Sequence, residues 1–80
     1  MPVFYAFIRK TESGWSADYH DLPGLASAGS GTDDMGGILR EGLSLHLAAM
    51  AEDGHAIPSP TPLHLIPREV GVPLLPVEVP

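Results

Sequence analysis

His20 and Asp21 are adjacent and Asp18 lies two residues earlier, so proton-transfer and metal-ligating side chains gather at this point of the chain. Such a group could act as a general base or hold a metal through its carboxylates. Residues 15–20, WSADYH, alternate like a strand, however, and neighbouring strand residues point to opposite faces. His20 and Asp21 therefore do not converge unless the turn bends them together. Asp18 and His20 share a face, but two groups do not make a site, and the simpler reading is the polar rim of a hairpin end. His46, His55 and His64 show neither HExxH spacing nor any comparable ligand pattern. His46 falls on an apolar helical face and reads as a partly buried side chain. No serine has a GxSxG context. Gly29-Ser30-Gly31 precedes a helix as an anion-binding loop would, yet it lacks the P-loop lysine and the GxGxxG spacing. Cysteine is absent, which removes disulfides, thiolate metal sites and cysteine nucleophiles. No catalytic residue, metal site or cofactor is expected, and the chain reads as a binding protein, not an enzyme.

Composition bounds what it can bind. Four Lys and Arg against ten Asp and Glu give 80 residues a formal charge of -6. Phosphate binding requires clustered cations, so direct nucleic-acid binding is not expected. A basic protein is the partner that this charge favours. No apolar run approaches the ~20 residues of a membrane span. The N-terminal MPVFYAFIRK has no basic stretch ahead of an apolar one and does not read as a secretory signal. The expectation is a single acidic domain over residues 1–80, soluble and cytoplasmic. A core this small also favours self-association, as a homodimer or higher oligomer.

These side chains need elements to hold them. Residues 3–9, VFYAFIR, are β-branched and aromatic without a breaker, which predicts a strand. After the polar turn KTESG, residues 15–20 form a second strand with Trp15, Ala17 and Tyr19 on one face, and the short loop predicts an antiparallel hairpin. Asp21-Leu22-Pro23-Gly24 is turn chemistry, because Pro23 fixes φ and Gly24 accepts positive φ. Leu25 to Ala28 offers a short third strand. From about Thr32 the period changes to three and four: Met35, Ile38, Leu39, Leu43, His46, Leu47 and Met50 share one helical face. Ser30 or Thr32 is the expected cap, with Asp33 and Asp34 in the first turn and Gly54 as the stop.

Two features stand out. Gly36, Gly37 and Gly42 lie inside the helix, each costing about 1 kcal/mol relative to alanine. They mean either low helicity repaired by packing or close approach of the backbone to the sheet or a partner. Seven of the nine prolines follow residue 57. Residues 57–67 read as an extended, polyproline-like connector. Residues 70–79 read as a last strand whose Pro73 and Pro76 confine it to an edge, where it could pair across chains. The order β-β-β-α-β predicts an α+β fold, a small antiparallel sheet with one helix packed on it.

Taken in order, Trp15 to His20, DLPGL, a glycine-containing turn, the helix REGLSLHLAAMAEDG and then IPSP closely resemble the HicB-type antitoxins. Members of that family read as an aromatic strand, "PDLPGC", "GDT", "EALxLHLExLxEDG" and "IPxPS". The resemblance runs from about Phe4 to Pro60. His20 stands where the first proline of "PDLPG" would be, Leu25 replaces the common cysteine, and Ser30-Gly31 takes the place of Asp-Thr.

The resemblance implies a partial RNase H-like fold without nuclease chemistry. Its implied partner is a HicA-type toxin, a small basic mRNA-cleaving protein of double-stranded-RNA-binding fold with a catalytic histidine. The antitoxin would bind the toxin directly and occlude its active site, with toxin-binding residues expected at Glu12, Asp18, Tyr19, Asp21 and Leu22. Family members usually carry a further DNA-binding module. None is expected within these 80 residues, and a "VEVP"-like segment leads into such a module in some members, so truncation after Pro80 is one reading. An orphan module that only self-associates is the alternative. A residual metal-dependent nuclease would need several converging carboxylates, and the strands offer only Asp18 and its neighbours.

Overall fold

The structure, a computed structural model, describes residues 2–79. Strands β1 (Val3–Lys10), β2 (Gly14–Tyr19) and β3 (Ala26–Ser30) precede helix α1 (Met35–Glu52), a 3-10 turn at Leu63–Leu65 and strand β4 (Leu74–Glu78). All pairings are antiparallel and the sheet order is β3-β2-β1-β4. This is the expected α+β arrangement, one helix on one face of a four-stranded sheet.

Alternation sorts the strands into two faces. Phe4, Ala6, Trp15, Ala17, Tyr19 and Val77 face α1, where Leu39, Leu43 and Leu47 are buried against them. Burying one such large apolar side chain stabilises by about 1.5–3 kcal/mol, so this contact dominates the stability of the domain. Tyr19 also donates its hydroxyl to the carbonyl of Leu39 at 3.2 Å, a buried bond between sheet and helix. Burial pushes the phenol up to about 12 from an ordinary 10.0. The neutral phenol is the folded form, so its contribution is complete below pH 10 and is lost as pH rises from 10 toward 12. Tyr19→Phe is expected to cost about 1–2 kcal/mol in urea unfolding at pH 7.

The end of β3 and the start of α1 differ from expectation. The third strand extends to Ser30 instead of ending at Ala28, because Trp15 lies against Gly29: a Cβ there would sit 2.6 Å from the indole ring. The indole Nε1 then donates to the Ser30 carbonyl at 3.1 Å. Gly29 and Ser30 are thus paired strand residues, not an anion-binding loop. The helix consequently starts at Met35 and not near Thr32. Asp34 is its cap, accepting from the Gly37 amide at 3.2 Å, while Asp33 accepts from the Ser30 amide at 2.8 Å. At the other end Gly54 takes φ 75° and closes the helix as expected.

The last strand is shorter than the predicted 70–79. Glu69 and Val72 bridge across a turn at Val70-Gly71, where Gly71 adopts φ 77°, and β4 begins only at Leu74. It lies at an edge beside β1 as its prolines require. The bonds from the Ile8 amide to the Pro73 carbonyl and from the Val79 amide to the Pro2 carbonyl set the alternation. Pro76, opposite Tyr5, therefore turns its donorless nitrogen to the open edge.

Candidate functional site

The face of the sheet away from α1 carries Tyr5, Phe7, Arg9, Asp18 and His20, and it is not bare. Phe7 is only 8% exposed and Ile66 only 4%, although neither belongs to the core beneath the helix. The proline-rich connector runs over this face and is fastened at two points. Asp21 accepts from the Thr61 amide at 2.8 Å and from its hydroxyl at 2.5 Å. Arg9 donates through Nε to Asp18 at 2.9 Å and through Nη2 to Glu69 at 2.8 Å. Glu69 first, and then Asp18, hold the guanidinium firmly in its charged form. That guanidinium also lies 5.5 Å from the centre of the Phe7 ring. His20 meets the same ring edge-on at 6.4 Å between centroids.

This geometry assigns the five expected contact residues very different places. Tyr19 is 4% and Leu22 2% exposed; both are core side chains with almost no surface to offer a partner. Asp18 is half exposed and already shares Arg9. Asp21 is occupied by Thr61. Glu12 stands exposed at the tip of the β1–β2 hairpin, with no hydrogen bond or ion pair among the described residues. Asp18, His20 and Asp21 do not gather: Asp21 turns to Thr61 while Asp18 turns to Arg9. Among the described residues no three His, Cys, Asp or Glu side chains are placed to hold a metal ion. His46 is half-buried on the helix, as its position on the apolar face requires.

Sequence reasoning missed Arg9, Thr61 and Glu69. One signal could have found the strap: β1 has large apolar side chains on both faces, Phe4 inward and Phe7 outward, and a strand apolar on both faces needs cover on both. Removing Arg9 should loosen this strap before it loosens the core. We expect Arg9→Ala to raise amide hydrogen exchange in residues 61–72 while Leu39 and Leu43 stay protected. Equal protection in both proteins would contradict the clamp.

A helix on one face of the sheet and a fastened strap on the other define a small α+β domain. No family model and no curated protein matches the sequence. Solved structures do match. One, described as the HicA3 and HicB3 toxin-antitoxin complex, shares 30% identity over 98% of both chains with a TM-score of 0.80. The antitoxin HicB3 crystal structure matches at 28% identity and TM-score 0.76; 98% of this chain covers 62% of that one. The N-terminal domain of Burkholderia pseudomallei antitoxin HicB shares the fold, with TM-score 0.75 at 23% identity over 98% of both chains. The chain belongs to the HicB antitoxin family. No helix among the described residues is long and apolar enough to cross a membrane.

Proposed function

We propose that this protein is the antitoxin of a type II toxin-antitoxin pair, and that it neutralises a HicA-type mRNA-cleaving toxin by covering its active site. The observation that carries this reading is the match, over 98% of both chains, to a chain of a toxin-antitoxin complex. The charge of -6 supports a basic partner. In this reading residues 1–80 form the toxin-binding domain, which acts by occupancy and not by catalysis, without a cofactor and without gripping nucleic acid itself. Of the expected contact residues, Glu12 is the exposed carboxylate with no hydrogen bond or ion pair among the described residues. Asp18 and Asp21 lend negative potential from the strapped face, and Tyr19 and Leu22 shape the hairpin end from inside.

Co-expression with the product of an adjacent gene, followed by pull-down and mass spectrometry, tests it. The expected result is a small basic protein at one-to-one stoichiometry, with RNA cleavage released when the complex is dissociated. Recovery of the chain alone as a clean oligomer would instead support the orphan module. Glu12→Arg is expected to slow association several-fold at low salt and to matter less at high salt. An unchanged association rate would take Glu12 out of the interface. Asp21→Arg is a poorer probe, because it also breaks both bonds to Thr61.

A further inference from the structure

Large apolar side chains stand exposed in two places: Leu45 on α1, and Ile57, Leu63, Leu65 and Val70 on the connector. Their surroundings differ. Leu63, Leu65 and Val70 flank Arg68 in the chain and belong to the strap that Arg9 fastens, so cations stand among them. Leu45 has no such company. No lysine or arginine occurs between Arg40 and Arg68. The Arg40 guanidinium lies back over Gly36, 3.6 Å from its Cβ position, toward the cleft that both residues line with β4.

Leu39, Leu43 and Leu47 turn one side of α1 to the sheet. Glu41, Leu45, Ala48 and Glu52 follow one another at four, three and four residues along the opposite side, and all four are exposed. Ser44, Ala48 and Ala49 around Leu45 are small, so the leucine stands proud of the helix and another protein can come close to the backbone beside it. Glu52 is the last residue of α1 and Asp53 is its C-cap, with no basic residue in the last turn. This is the negative end of the helix dipole, where a carboxylate is repelled. The side chains of Glu41, Glu52 and Asp53 have no hydrogen bond or ion pair among the described residues. The free chain is therefore less stable for carrying Glu52 and Asp53 where they are.

We propose that this outward side of α1 is the surface on which the basic partner docks, with Leu45 entering an apolar pocket and Glu41, Glu52 and Asp53 meeting lysines or arginines around it. The assignment rests on the antitoxin reading above, which supplies that partner. Charge complementarity selects this face over the strap, because here the carboxylates stand without a cation among them. A cationic partner relieves the repulsion at the helix end, so the same charges that weaken the free chain strengthen the complex. An apolar anchor inside a charged rim is also the usual layout of a binding hot spot. Tyr19 and Leu22, the apolar contacts expected from the sequence, cannot serve as that anchor, since both are buried. The two kinds of contact act on different rates: the rim carboxylates speed association, and Leu45 prolongs the complex.

Biolayer interferometry tests this, with the basic protein recovered by co-expression as the probe. The double variant Glu52→Gln with Asp53→Asn is expected to associate about five- to tenfold more slowly at about 50 mM salt, with the gap closing at about 500 mM. Its own melting temperature should rise by about 2–4 °C. Leu45→Ala is expected to dissociate at least about tenfold faster, with its association rate held within about twofold. Glu78→Gln, an exposed carboxylate on β4, is the control and should stay within about twofold in both rates. Circular dichroism establishes that each variant folds. A double variant with the wild-type association rate, or a folded Leu45→Ala with the wild-type dissociation rate, overturns the proposal and leaves the antitoxin reading standing. So does a dimer of the chain that Leu45→Ala dissolves without changing the partner's kinetics, because the face would then belong to a second copy. If no basic protein binds, the antitoxin reading fails and this assignment with it.

Discussion

Leu43→Ala is expected to lower the unfolding free energy by about 3–4 kcal/mol, within the range of 2–5 kcal/mol typical of a buried leucine truncated in a core. Leu43 is 0% exposed and lies between Leu39 and Leu47 on the buried stripe of α1. A domain of 80 residues has a total stability of about 4–12 kcal/mol at the usual 0.05–0.15 kcal/mol per residue. One truncation therefore removes a quarter to most of it. Urea unfolding should show the midpoint falling with the slope unchanged. Leu45→Ala on the same helix is the control. Its side chain is 66% exposed, and the loss should stay under about 0.5 kcal/mol. Similar losses for both leucines would mean that the helix does not face the sheet as described.

Gly14→Ala is expected to cost about 1–3 kcal/mol, although it adds a single methyl group. Gly14 opens β2 opposite Ser30, and a Cβ there would stand 2.0 Å from the carbonyl oxygen of Gly29 and 2.6 Å from the Ser30 Cα. Those neighbours are backbone and cannot swing aside. Relief requires β2 and β3 to part where the Trp15 indole is seated against Gly29. Gly36→Ala gives the opposite sign: the nearest atom to its Cβ position is the Arg40 guanidinium nitrogen at 3.6 Å. Ordinary contact leaves the gain in helix propensity intact, so this variant should gain up to about 1 kcal/mol. Thermal unfolding of the two variants side by side checks the pair, and a stabilised Gly14→Ala would refute the crowding at β2.

The elements whose signals are local are legible in the amino-acid sequence. Trp15, Ala17 and Tyr19 alternate, and all three lie on the buried face of one strand. The stripe through Leu39, Leu43 and Leu47 repeats at helical spacing, and those are the buried residues of α1. Pro76 predicts an edge strand and sits on one. The start of the helix is not legible, because it depends on where β3 ends, and that depends on Trp15 reaching across to Gly29. Spacing on one strand carries no trace of a side chain on its neighbour.

The candidate site is less legible than the fold for the same reason. Asp18 and Asp21 look like free surface charges in the sequence, yet Asp21 is bound to Thr61, and the arginine that holds Asp18 also holds Glu69 across 60 residues. A chain of isolated polar residues in a proline-rich stretch reads as a passive connector. Only the completed sheet shows that Ile66 is buried and that the stretch is a fastened strap. Tyr19 could have been assigned inward from its alternation with Trp15. Leu22 lies within a turn, where no periodicity indicates which way a side chain points.

The pairing of β1 with β4 also governs the order of events at the ribosome. Val3 is matched with Glu78 and Phe7 with Leu74, so one of the two neighbours of β1 is made 67 to 75 residues after it. At about 5–20 residues per second, β1 spends some seconds with that side unsatisfied. The hairpin with β2 can form early, but the sheet cannot close until translation has passed residue 78. A nascent chain therefore exposes the β1 edge until β4 has been made, and crowded polysomes offer identical edges nearby. The proline in β4 does nothing to guard against mispairing at that stage, since it arrives with the strand that ends the exposure.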